Sequence, residues 1–162
     1  MKKKILMSCL LTSSTWCGLT QTSYSQTPVQ YEIIDVSVQP CLDSWAKDGA
    51  SEQSRKACLF STATPTVKYE KALSKYGKHN KYTQYIAHAL LRVSYYVTES
   101  YIALMPSDHV SAAWATQMCK YNAETMKLSR VPFNQLQPAH VQFVKDISPR
   151  LGKIFQVCQT MQ

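Results

Sequence analysis

Glycine is scarce in this chain, with four among 162 residues, and no G-x-S-x-G occurs. Nucleophilic hydrolysis built on that strained turn therefore has no signature here. No two cysteines have the C-x-x-C spacing, which argues against dithiol redox chemistry, and no C-x-x-C-H exists to attach a haem. Acidic residues are outnumbered, 10 against 18 basic, and they form no cluster that points to paired-carboxylate cleavage of glycosides. No apolar run approaches the roughly 20 residues needed to span a bilayer. The four histidines, His79, His88, His109 and His140, lack zinc-site spacing, so neither a metal nor a cofactor is expected. Internal repeats and Gly/Ser linkers are also missing, which leaves one domain.

What is present begins with an address. Lys2, Lys3 and Lys4 precede an apolar run from Ile5 to Leu11, and small residues Ser23 and Ser25 sit before Gln26. That order of basic, apolar and small-residue regions matches a secretory signal peptide over residues 1–25, leaving 26–162 as the mature chain. The reading implies a periplasmic or secreted protein in a compartment where disulfides persist. Three lysines and no acid leave with the segment, so the formal charge falls from +8 to +5. Nucleic acid is a poor partner in that compartment. An anionic lipid headgroup, an acidic polysaccharide or a protein is a better one.

Four cysteines then remain: Cys41, Cys58, Cys119 and Cys158. An even number predicts two disulfides, and three connectivities are open on spacing alone. Helix placement favours Cys41–Cys58 and Cys119–Cys158. Cys158 lies on the inward stripe of the last helix, and an antiparallel turn near 131–137 brings it level with Cys119.

The apolar pattern is mostly helical. Val29, Tyr31, Ile33, Val36 and Val38 nearly alternate, so residues 26–39 are expected as a strand or extended arm. Pro40 then starts a short helix through Trp45 that stops near Gly49, and Ser51 caps a second through Phe60. Pro65 falls in a Thr-rich loop, and a third helix covers 66–76. Residues 81–105 carry Tyr82, Ile86, Leu90, Val93, Val97 and Tyr101 at the 3.6-residue period. A helix over 108–130 begins at Ser107 and Asp108 and shows two apolar faces, which predicts a central position. The last starts at Pro138 and should kink or break at Pro149. The fold class is therefore all-α, a single-domain bundle of four to five helices with an extended N-terminal arm, stabilised by disulfides.

Two surfaces are candidates for function. Lys68, Lys71, Lys75 and Lys78 form a stripe interleaved with Tyr69 and Tyr76, suited to an anionic polymer with sugar rings to stack. The competing reading is a solvated lysine face with the tyrosines in the core. His88, Arg92, Tyr95 and Glu99 fall within about a quarter of the circumference of their helix, where a base, an anion clamp and a carboxylate can be imagined. Arg92 and Glu99 stand two turns apart, which is far for pairing. Seven tyrosines between positions 69 and 101 serve core packing and interaction surfaces equally well. The leading expectation is a non-catalytic binding protein of the cell envelope, such as an inhibitor, immunity or accessory factor, with an envelope or exported protein as partner. A peripheral binder of anionic lipid or polysaccharide through the lysines is the alternative. An enzyme is the third, and it requires a concave pocket with convergent His, Glu or Asp groups.

Overall fold

The computed structural model describes residues 28–106 and 111–161. The segment read as a signal, and the capping role given to Ser107 and Asp108, lie outside the described residues, as does His109. Among the described residues every regular element is an α-helix: α1 (Pro28–Asp48), α2 (Glu52–Ser61), α3 (Ala63–Tyr76), α4 (Lys81–Ala103), α5 (Ala112–Ser129) and α6 (Pro138–Thr160). The expected all-α, disulfide-stabilised bundle is what forms.

The sequence-based outline needs four corrections. Over 28–39 the chain is not extended, because helix runs from Pro28 straight through Pro40 to Asp48 and absorbs the expected arm; the described residues form six helices where four to five were expected. The near-alternation misled because two helical stripes overlap. Tyr31, Ile34, Val38 and Cys41 face the core, while Val29, Ile33 and Val36 face outward. Two stripes of period 3.6, laid on opposite faces, imitate a period of two. Second, Pro65 lies inside the first turn of α3 rather than in a loop. The first-turn N–H groups have no intrahelical acceptor, so a residue without one loses little there. Third, α6 runs unbroken through Pro149, which is exposed, so water can reach the carbonyl its ring leaves without a donor.

The fourth correction concerns the centre of the bundle. Fifteen of the 23 residues of α4 are buried, and α1, α2, α3 and α5 all pack on it. Helix α5 does pack against two neighbours, α4 and α6, yet Lys120, Ala123 and Lys127 remain exposed. The central helix is thus α4, whose small and polar buried residues (Ser94, Thr98 and Ser100) allow close approach.

Local signals set the helix ends. Asn80 caps α4 by accepting from the Tyr82 and Thr83 amides, and Ser111 caps α5 by accepting from the Trp114 amide. Gly77, at φ 75°, closes α3 in a conformation that L side chains rarely adopt. Trp114 Nε1 donates to the Tyr101 carbonyl at 2.8 Å, supplying one of the orphan acceptors at the end of α4. Both expected disulfides are present, Cys41–Cys58 joining α1 to α2 and Cys119–Cys158 joining α5 to α6.

A buried side chain of α4 helps to hold the 131–137 connection, whose Phe133 is itself buried. Gln84 is fully buried; its Nε2 donates to Asn134 Oδ1 at 2.9 Å and its Oε1 accepts from the Gln135 amide at 3.0 Å. Gln84→Ala should cost about 1–3 kcal/mol, because the partners lose their hydrogen bonds inside a partly closed junction. Urea denaturation measures this, and a change below about 0.5 kcal/mol would show that the loop is held by other means.

Candidate functional site

Two turns of α4 and two of α1 build a cleft. On α4, Tyr85, His88 and Arg92 stand at i, i+3 and i+7 and so share a face. On α1, Asp35, Val38, Gln39 and Leu42 occupy the same kind of spacing and look across at them. The first turn of α6 brings His140 over the top, where Pro138 starts the helix. The space between them is about 250 Å³ and is lined by all of these residues together with Ala89.

The polar groups in the cleft are unevenly satisfied. Tyr85 Oη donates to Asp35 Oδ1, tying α4 to α1 at one end. His88 and His140 stack with centroids 4.2 Å apart, and the edges of Phe133 and Phe143 close around His88 at 5.9 Å each. His88 is 4% exposed, and its Nε2 has no hydrogen-bond partner, nor has Nδ1 of His140. Burial, reinforced by His140 and Arg92, holds the His88 imidazole down to about 3, so it is neutral at neutral pH. Burial also lowers His140, with Arg92 adding in the same direction. Burial raises the Asp35 carboxyl. Arg92 lies 5.8 Å from the Phe143 ring centre, and among the described residues no carboxylate pairs with it.

The stripe His88, Arg92, Tyr95 and Glu99 is therefore not an outer face. Its members meet the 131–137 connection and α6 instead, with Tyr95 against Phe143 at 5.9 Å. Glu99 does not orient Arg92. It takes a two-pronged contact from Arg150 of α6, Nη2 to Oε2 at 2.7 Å, which explains how two turns of separation on α4 are resolved. Burial raises the Tyr95 hydroxyl, with Glu99 adding to it. His88 and Arg92 enter the cleft; Tyr95 and Glu99 belong to the α4–α6 junction.

The lysine stripe is also divided. Lys68 is half-buried and Lys71 and Lys75 are exposed on α3, but Lys78 lies beyond the Gly77 turn and off the helix. Tyr69 and Tyr76 turn toward the core, where burial raises the Tyr69 hydroxyl. Of the seven tyrosines, two are buried, five half-buried and none exposed. Core packing accounts for them, in chains such as Tyr31–Tyr82–Tyr76 and Tyr101 between Trp114 and Tyr121. A stacking platform for sugars is not formed beside the lysines.

Compared with known proteins, the chain matches no family model, no curated protein and no solved structure.

A general base works best with a pKa near the operating pH, and His88 stands far below that. The lining contains no Ser, Thr or Cys to act as nucleophile, and the one hydroxyl, Tyr85, is engaged with Asp35. No three His, Cys, Asp or Glu side chains among the described residues are grouped to hold a metal ion. Sequence reasoning missed Asp35, Gln39 and His140. Asp35 and Gln39 were hidden by the extended reading of 26–39, although the inward spacing Ile34, Val38, Cys41 was available as a helical signal. His140 has no local signal, since it meets His88 across 52 positions of sequence.

The outward face of α1 borders this cleft. Val29, Ile33 and Val36 are 60%, 41% and 67% exposed. At about 100° per residue they lie, with exposed Pro40, within about 60° of one another. Glu32, Asp35, Gln39 and Asp43 run along one flank, and Asp35, Val36, Gln39, Pro40 and Asp43 line a shallow groove there. Helix α1 holds four of the ten acidic residues of the chain and one of the eighteen basic ones.

Proposed function

We propose that the chain is an exported, non-catalytic binding protein of the cell envelope whose partner is another envelope or exported protein. The observation that carries this reading is the outward row of α1. Three large apolar side chains in line on a 21-residue helix, flanked by acids in an otherwise basic chain, form a surface whose exposure costs hydration free energy. A protein segment with apolar residues and basic neighbours is its complement. Export is supported by the composition of residues 1–25 and by the two disulfides, which persist in oxidising compartments. No described helix is long and apolar enough to cross a membrane.

Site-specific photo-crosslinking from position 33, in the organism's own envelope, tests this. The expected result is one discrete adduct that survives about 0.5 M salt, persists with Lys71→Glu/Lys75→Glu, and disappears with Val29→Glu/Val36→Glu. A second reading, a peripheral binder of anionic lipid or polysaccharide, is favoured by Lys71 and Lys75, exposed on α3, and by Phe60 on α2, which is 80% exposed. Envelope association that is lost in salt and in the lysine variant, but kept in the α1 variant, would replace the first reading by the second.

A further inference from the structure

We propose that the cleft between α1 and α4 is a binding site for a small organic monocarboxylate, received by the Arg92 guanidinium and by Nε2 of His88. The site is independent of whatever docks on the outward face of α1.

Three observations define the ligand. His88 lines the space while being 4% exposed, and its Nε2 is buried without a partner, a cost that a ligand hydrogen bond would offset. Arg92 lines the same space with no carboxylate among the described residues paired to it, and its planar fork matches a carboxylate two bonds at a time. Asp35 closes the opposite end, one helical face away through Tyr85, and Tyr85 to Arg92 spans about 10 Å along α4. One cation at one end and one anion at the other accept a single negative charge at Arg92 and repel a second. With His88 and His140 both neutral, the lining residues supply no further positive charge to hold a phosphate dianion or a polycarboxylate. Val38, Leu42 and Ala89 wall the space between, which suits a short aliphatic body. In the neutral His88 tautomer with a proton on Nε2, that N–H donates to the carboxylate oxygen.

The His88 and His140 rings report on the site directly. Hexanoate is titrated at neutral pH into the disulfide-bonded protein carrying labelled histidine, and the ring C–H resonances are followed by NMR. Saturable shifts of both rings are expected, with affinity reduced about tenfold or more by Arg92→Gln. Val29→Glu/Val36→Glu should leave that affinity unchanged, and this separates the site from the docking surface. Folding of the Arg92→Gln variant is checked by its urea midpoint, and Arg92→Lys should recover part of the affinity. The proposal is overturned if neither ring shifts saturably, or if Arg92→Gln binds hexanoate as tightly as the parent. It is overturned equally if hexylamine shifts the rings as hexanoate does, or if citrate or inorganic phosphate binds more tightly.

Discussion

Acidification from neutral pH to about pH 3 should cost this protein up to about 4–5 kcal/mol of stability through His88 alone. The ordinary value of the group is 6.5, and in the fold it is held down to about 3 by burial, by His140 and by Arg92. The unfolded chain therefore takes up a proton between those two values that the folded chain refuses. Stability is full above about pH 6.5, falls as pH drops, and the loss is complete below about pH 3. His140, also lowered, acts with the same sign. Asp35 acts with the opposite sign, because its raised carboxyl binds a proton more readily in the fold, but it is exposed and its share is small. Tyr85 and Arg92 line the same cleft as the two histidines. Urea midpoints of the parent and of His88→Phe, at several pH values from neutral to about pH 4, measure the effect. The variant should lose most of the slope. Any packing change from the larger ring shifts all of its midpoints together and drops out of the comparison. An identical slope in the two proteins would show that His88 is not the acid-sensitive group.

Loss of the Cys119–Cys158 bond should be the most damaging single covalent change. The bond closes a 39-residue separation, which corresponds to about 4 kcal/mol in the chain-entropy reckoning, against about 3 kcal/mol for the 17-residue separation of Cys41–Cys58. Its position adds a local effect. The first half of α6 is anchored to α4 through His140, Phe143 and Arg150, whereas α6 otherwise packs chiefly on α5. Beyond Ile154, Cys158 is the only buried residue among the described positions of that helix, with Phe155, Val157 and Met161 at least partly open to solvent. Cys119→Ala/Cys158→Ala should therefore lower the urea midpoint and also speed amide hydrogen exchange over 155–160. Exchange in α4 should change only through the global loss. A midpoint shift worth less than about 1 kcal/mol would mean that helix packing alone secures the end of α6.

Much of the architecture is legible in the sequence because helices announce themselves locally. The period in 81–105 is a short-range signal, and α4 follows it. The disulfide pairing was also accessible, since antiparallel geometry places Cys119 and Cys158 level with one another. Failures came where one local pattern imitated another. The doubled stripe of α1 looked like alternation, and Pro40 and Pro65 looked like boundaries although one is exposed within a helix and the other sits in a first turn. The lysine stripe was legible as a face, but its tyrosines turned inward because each buries far more apolar area than a lysine stem.

By itself, then, the sequence determined the helical class, the charge balance, the supply of four cysteines for two bridges and the export-like composition of its first residues. Each of these is a property of neighbours within a few turns, or of simple counts. Only the tertiary structure decided which helix is central, that the stripe through His88 is covered rather than free, and that Glu99 belongs to Arg150. It alone brought Asp35, His88, Arg92 and His140 to one cleft from three helices. The reason is physical: burial, pKa and pairing depend on what packs against a group, and those contacts span about 50 positions or more that no periodicity records.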